Sequence, residues 1–243
     1  MSNLTNELAN RGSKLCMQIC VNNLADDQNR QGNIVRLSRK NLLDIKIGLG
    51  NISWISPLSS ESFIEYEMKN LPKKHLIELG LDTINWNDVW PSRRQPQWDA
   101  IGIAPDGTLI IVEAKAHINE IMSRTKLSST SISARYNRIL NVLGESLKKD
   151  ISGQDLWLTK YYQIANRFCF LDGLKNFLGN RRSVLLVFLY FINDCTHIPT
   201  TQEQFQYHIQ YNLHNEVNIP NTRFELNTDY KIIYYDIWND RGI

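Results

Sequence analysis

Two carboxylates lie on either side of a turn whose residues determine how they face each other. The turn is Pro105–Gly107, in which proline presets φ and glycine accepts the left-handed conformation of a three-residue hairpin loop. Counting outward from this loop predicts a β-hairpin in which Ile101 faces Ile111 and Asp99 faces Glu113. Directly opposed residues of an antiparallel pair have Cβ atoms about 5 Å apart. The sequence therefore predicts two neighbouring acidic groups on one face of a hairpin.

This acidic pair, together with the lysine that follows it, is suited to metal-assisted chemistry on phosphate. Side chains alternate along a strand, so Asp99, Glu113 and Lys115 share a face. Facing like charges destabilise a sheet, and Mg²⁺ prefers one or two carboxylates, with waters and phosphate oxygens as further ligands. We therefore expect Asp99, Glu113 and the carbonyl oxygen of Ala114 to bind Mg²⁺ or Mn²⁺. Lys115 is a candidate catalytic residue. It would either hold or deprotonate the attacking water, or neutralise the negative charge of the pentavalent species.

The same residues carry a resemblance to a known family. Asp99 and the run Glu113-Ala114-Lys115 resemble the D…(D/E)xK signature of the PD-(D/E)XK nuclease superfamily. The stretches QPQWDAIGIAPDGTLIIVEAKAH (residues 95–117) and YYQIANRFCFL (residues 161–171) are similar to an uncharacterised, mostly bacterial branch of it. The resemblance covers roughly residues 60–195. It implies an α/β, restriction-endonuclease-like core, with a mixed central β-sheet flanked by α-helices. It also implies metal-dependent cleavage of nucleic acid, DNA more than RNA. Some relatives are inactive, so a catalytically inactive nucleic-acid- or protein-binding module on the same fold is the alternative.

Further site residues follow from the resemblance or from the helices around the hairpin. Many family members carry a glutamate on the helix before the hairpin, and the candidates here are Glu65 and Glu61, of which we favour Glu65 as a catalytic residue. Three polar side chains interrupt a mostly apolar helix after the hairpin: Gln163, Asn166 and Arg167. They either face the site or form the solvated stripe of an amphipathic helix.

A basic stretch follows the hairpin. Residues 121–149 contain six lysines and arginines against one glutamate. Such a stretch is usually a solvated helix face, and beside a catalytic site it becomes a candidate surface for phosphates. The residues that we expect to contact nucleic acid are Arg124, Lys126, Arg135 and Arg138.

Composition limits the class of protein. The chain has 243 residues, 42% of them hydrophobic, and a formal net charge of +2, which excludes an intrinsically disordered chain. No apolar run is long enough to cross a membrane, and the first residues do not resemble a secretion signal, so we expect a soluble, cytoplasmic protein. Four cysteines and five histidines show no zinc-binding spacing. We expect a single domain (1–243), with an N-terminal extension (1–58), a nuclease-like core (59–195) and a C-terminal helix and strand (196–243).

Hydrophobic periodicity predicts the elements that position the site. A helix is expected from Ser60 through Met68, restarting as Lys73–Leu79 and closed by Gly80. The later helices are expected over residues 134–149, 156–178 and 202–213, and residues 4–24 are weakly helical. Residues 184–192 are apolar throughout, which is typical of a central strand covered on both faces, and residues 230–237 form a final strand. Residues 26–33 and 128–131 are expected to be loops.

Overall fold

The computed structural model describes residues 8–24, 39–122, 132–217 and 223–239 of the chain. These residues form an α/β structure in which a five-stranded sheet lies between two layers of helices. The helices are α1 (Gly12–Asn22), α2 (Arg39–Ile47), α3 (Lys73–Leu79), α4 (Trp86–Val89), α5 (Ile132–Leu143), α6 (Tyr162–Leu178), α7 (Gln202–Tyr207) and α8 (His214–Val217). The strands are β1 (Ser53–Ser56), β2 (Ala100–Ile103), β3 (Leu109–Lys115), β4 (Val184–Phe191) and β5 (Tyr230–Tyr235).

The sheet is mixed, and its strands lie side by side in chain order. β1 pairs with β2, and β2 with β3, in antiparallel fashion, whereas β3–β4 and β4–β5 are parallel pairs. Parallel neighbours need a crossover. α5 and α6 lie between β3 and β4 in the chain; α7, a π-helix (His208–Leu213) and α8 lie between β4 and β5. The predicted α/β class with a mixed central sheet and flanking helices is therefore confirmed.

The hairpin that carries the acidic pair has the predicted register. Ile103 pairs with Leu109, and Ile101 with Ile111. Gly107 adopts a φ of 85°, and the Asp106 side chain accepts a hydrogen bond of 2.9 Å from the backbone N–H of Thr108. The last pair of the ladder is Ala100 with Val112. Asp99 and Glu113, which we expected to face each other, are the next residue on each segment and lie just beyond this pair.

Alternating side chains of the hairpin divide the core in two. On one face, Ile101 and Ile111 pack in a cluster with α6, and on the other Ile110 and Val112 pack in a cluster with α1 and α2. All eight residues of β4 are buried, as predicted for a strand covered on both faces. The described part of the predicted N-terminal extension thus supplies α1, α2 and the edge strand β1 to this sheet structure.

The predicted helix over residues 60–68 is wrong. This segment contains two short 3₁₀ turns, Ser59–Glu61 and Met68–Asn70, and the residues between them do not form a helix. The reason is tertiary pairing, because the backbone N–H of Trp98 donates to the carbonyl of Tyr66 and residues 67 and 97 form an antiparallel bridge. The helix after Pro72 ends before Gly80, as predicted.

Other boundaries differ by a few residues. α5 ends at Leu143 rather than at residue 149, and Gly144 follows it directly. α6 begins at Tyr162 rather than at residue 156, because Asp155 accepts backbone hydrogen bonds from Trp157 and Leu158 and holds this segment in a turn. α1 lies within the region predicted to be weakly helical, whereas α2 and β1 were not predicted. The predicted loops at 26–33 and 128–131 lie outside the described residues. Across the described ranges, none of the helices combines the length and the apolarity that crossing a bilayer requires.

Candidate functional site

A polar cleft of about 810 Å³ opens at the carboxyl end of β3. Strands, helices and loops from five stretches of the chain contribute to its walls. The lining residues are Ser13, Glu65, Pro96, Gln97, Asp99, Glu113, Lys115, Asn119, Glu120, Met122, Tyr162, Gln163, Asn166 and Arg167. The four residues predicted to be catalytic are all among them.

Asp99 lies just before β2, and its carboxylate has one engaged and one unengaged oxygen. The backbone N–H of Asp99 donates to the carbonyl of Val112 at 3.1 Å, and its Oδ2 accepts a hydrogen bond of 2.7 Å from the N–H of Ala114. Oδ1 accepts no hydrogen bond from any described residue. Burial and the nearby Glu113 carboxylate raise the pKa of Asp99 to about 7, against the opposing effect of the Lys115 ammonium.

Glu113 is buried and held by two cations. Its Oε1 accepts a hydrogen bond from the Lys115 ammonium, and its Oε2 accepts one of 2.6 Å from Nε of Arg167. Burial alone would raise the pKa of Glu113, but Arg167 and Lys115 outweigh it and bring that pKa below its usual value. Burial likewise disfavours the charged form of Lys115, but Glu113 and Asp99 raise its pKa above the usual value. Lys115 is therefore an ammonium at neutral pH.

Arg167 is the fourth ionisable group on the floor of the cleft. Its guanidinium donates to the carbonyl of Gln97 at 2.7 Å and to Oδ1 of Asn166 at 2.9 Å, and it lies over the Trp98 ring at 4.7 Å from the centroid. Its side chain is only 6% exposed. The structure thus decides between the two readings of the polar residues on α6, because Gln163, Asn166 and Arg167 all face the cleft.

Glu65 lines the cleft, although it is not on a helix. It forms an ion pair of 3.4 Å with Lys14, and burial raises its pKa despite that partner. The other candidate, Glu61, instead accepts a hydrogen bond of 2.8 Å from the hydroxyl of Tyr66. Of the two candidates, Glu65 is therefore the one that lines the cleft.

The predicted phosphate-contacting residues have different surroundings. Arg124 and Lys126 lie outside the described residues. Arg135 donates to the hydroxyl of Tyr162 at 3.0 Å, and Tyr162 lines the cleft. Arg138 lies between α5 and α6, where it forms a 2.8 Å ion pair with the buried Asp172, a carboxylate that Arg223 also contacts at 2.7 Å.

Several residues of the cleft were not predicted. Ser13 and Lys14 come from α1, and Asn119 and Glu120 from the turn after β3. Neither the hydrophobic periodicity nor a motif predicts that α1 lies beside the hairpin, because this placement depends on the packing of α1 against β3. For Glu120, its position five residues after Lys115 is the feature of the sequence that indicates closeness to the cleft.

The donor set of the cleft is compatible with a hard cation bound by few protein ligands. In the described part of the chain, no group of three or more histidines, cysteines or carboxylates has the arrangement that holds a metal. Mg²⁺ needs only one or two carboxylates and keeps several waters. The unengaged Oδ1 of Asp99 is such an oxygen. Because the N–H and the carbonyl of a strand residue point to the same side, the carbonyl of Ala114 also points toward Asp99.

No family model, curated protein or solved structure matches this chain. The similarity to PD-(D/E)XK nucleases therefore stays a prediction from the sequence.

Proposed function

We propose that the chain is a Mg²⁺- or Mn²⁺-dependent nuclease with a restriction-endonuclease-like fold. The observation that carries the proposal is the side-by-side arrangement of Asp99, Glu113 and Lys115 in an open cleft, with one oxygen of Asp99 unengaged. The raised pKa of Asp99 adds support, because strongly perturbed carboxyl groups in clefts are concentrated at functional sites.

Asp99, Glu113 and the carbonyl of Ala114 are the residues that would hold the cation. When bound, a divalent cation would polarise a phosphate oxygen and lower the pKa of a coordinated water. Arg167 holds Glu113 by hydrogen bonds and keeps its carboxylate oriented toward the cleft. The Ala114 N–H does the same for Asp99.

Lys115 acts in this proposal through its charge. Its pKa is raised by Glu113 and Asp99, so it carries a proton at neutral pH and is a poor general base. An ammonium in a partly enclosed cleft stabilises the negative charge that develops on phosphorus oxygens during hydrolysis. The sequence left two roles open for Lys115. We assign to it the neutralisation of the negative charge on the pentavalent species.

The substrate in this proposal is a nucleic acid, with DNA expected before RNA. Two further cations lie near the carboxylates of the cleft: Lys14 pairs with Glu65, and Arg135 donates a hydrogen bond to the hydroxyl of Tyr162 at the edge. A polyanion needs such cations to approach carboxylates without net repulsion. A cytoplasmic location agrees with this substrate.

The second candidate is a catalytically inactive nucleic-acid- or protein-binding module on the same fold, and one observation favours it. Arg167 already pairs with Glu113 and neutralises the charge of that carboxylate. A site neutralised in this way has less need for a divalent cation. The two candidate functions differ in whether the protein cleaves nucleic acid when a metal ion is added.

The test is a cleavage assay on labelled DNA duplex, single-stranded DNA and RNA in Mg²⁺, Mn²⁺ or EDTA. Wild type should cut only with metal, and Asp99→Asn and Lys115→Met should each lower the rate at least about 100-fold. Asp106→Asn is the matched control, since Asp106 lies on the hairpin turn away from the cleft and should cut as wild type does. Cleavage that survives both substitutions would exclude this site as the catalytic one, and binding without cleavage in any metal would favour the inactive module.

A further inference from the structure

Two arginines precede Asp99 on a loop that forms part of the cleft wall. Arg93 and Arg94 are both exposed, and Pro96 and Gln97, two to four residues further on, line the cleft. Consecutive Cα atoms are 3.8 Å apart, so the Cα of Arg94 lies within about 8 Å of that of Pro96. The exposed Arg94 therefore lies close to the wall of the cleft.

The loop is held in place by its other residues. Gln95 is buried, and its Oε1 accepts a hydrogen bond of 3.0 Å from the backbone N–H of Lys69. The Lys69 ammonium also donates to the carbonyl of Arg93. Trp90 and Trp98, on either side, are almost completely buried. The arginine side chains thus extend from a fixed backbone, which lowers the entropy that is lost when they bind a ligand.

The charges of these two arginines have no counterpart within the described protein. Neither guanidinium forms a hydrogen bond or ion pair with another described residue. The cations inside the cleft differ, because Lys115 pairs with Glu113 and Lys14 with Glu65. Residues 91–97 contain no acidic side chain. This loop therefore presents two uncompensated positive charges beside the cleft.

We propose that Arg93 and Arg94 bind backbone phosphates of the nucleic-acid strand that enters the cleft past Pro96 and Gln97. The proposal rests on the proposed function, because it takes a phosphodiester polymer as the substrate. Guanidinium groups bind phosphate through two parallel hydrogen bonds, and such contacts fix the position of a strand without reading its sequence. The two arginines would hold the strand so that one phosphodiester lies over Asp99 and Lys115.

The experiment measures binding without cleavage. Fluorescence anisotropy of a short labelled DNA duplex, in EDTA and over a series of KCl concentrations, gives the slope of log K against log [KCl]. Each phosphate contact contributes about 0.9 to that slope. Arg93→Ala and Arg94→Ala should each reduce its magnitude by about 0.9, and the double variant by about twice that. Arg94→Lys keeps the charge and should restore most of the slope.

The matched control is Arg181→Ala. Arg181 lies just before β4, whose first residue pairs with Leu109, so it is at the other end of β3 and about 20 Å from Lys115. This variant should keep the wild-type slope. Circular dichroism checks that every variant is folded.

The outcomes separate this proposal from the nuclease proposal. A reduced slope in the arginine variants supports the phosphate contacts even if the wild type never cuts. Two results would overturn the phosphate contacts. One is a wild-type slope in the folded double variant, and the other is a wild type that binds neither the duplex, nor its single strand, nor an RNA. Metal-dependent cleavage together with an unchanged slope would leave the nuclease proposal standing and remove this one.

Discussion

Replacing Asp99 by asparagine should make the metal-free protein more stable against urea at mildly alkaline pH. Burial and the Glu113 carboxylate raise the pKa of Asp99 to about 7, so above that pH the fold contains a carboxylate that its surroundings disfavour. The asparagine amide is neutral at every pH and keeps an oxygen that can accept the hydrogen bond from the N–H of Ala114.

The magnitude follows from the two pKa values of this carboxyl group. Its ordinary pKa is 3.8, and burial together with the Glu113 carboxylate raises that pKa to about 7. Its contribution to stability is therefore fully present below about pH 4, declines as the pH rises between the two values, and is lost above about pH 7. The difference between the two pKa values corresponds to at most about 4 kcal/mol in the free energy of unfolding. Asp99→Asn should remove this pH-dependent loss.

The assay is urea denaturation followed by tryptophan fluorescence, with wild type and variant in EDTA at a series of pH values. The stability advantage of Asp99→Asn should grow from near zero in acid to a few kcal/mol at about pH 8. Asp106→Asn is the control with opposite sign, because the backbone N–H of Thr108 lowers the pKa of Asp106 and its ionised form is favoured in the fold. A difference between Asp99→Asn and wild type that does not change with pH, or that favours the wild type, would refute this reasoning.

Three further predictions concern the floor of the cleft, the packing of α6 and the thiols. Arg167→Met should lower the free energy of unfolding by about 3–5 kcal/mol, because it leaves the buried Glu113 without one of its partners; a neutral effect in urea denaturation would contradict the pairing. Gly173→Ala should lower Tm, since a Cβ there would lie 2.6 Å from the Cα of Val89 and the overpacking of about 1–3 kcal/mol exceeds the gain in helix propensity. Cys195 is exposed and should be the one thiol that reacts promptly with DTNB in the folded protein, with all four reacting in urea.

The local part of the site could be predicted from the sequence. The turn at Pro105–Gly107 determines the register of the hairpin, and the register determines that Asp99, Glu113 and Lys115 share a cleft. The unbroken apolar run of β4 likewise predicts a strand buried on both faces, because only such a strand can place every side chain in a core. Both predictions depend on residues that are close in sequence.

The remaining part depends on contacts between distant segments. The segment around Glu65 has a helical pattern, but its backbone pairs with residues 97–98 and places the carboxylate in the cleft without a helix. Arg167 is 54 residues from Glu113 along the chain, so its role as a partner of that carboxylate depends on the position of α6 against the sheet. A helical wheel cannot distinguish a polar stripe facing solvent from one facing a cleft.

The most direct measurement is a titration of the metal-free protein with Mn²⁺, with free Mn²⁺ followed by electron paramagnetic resonance. Wild type should bind Mn²⁺, and Asp99→Asn should bind it much more weakly, because asparagine replaces the carboxylate by a neutral amide group. Asp106→Asn should bind as wild type does. Equal binding by wild type and Asp99→Asn, or no binding by wild type, would contradict the assignment of Asp99 and Glu113 as the residues that hold a metal ion.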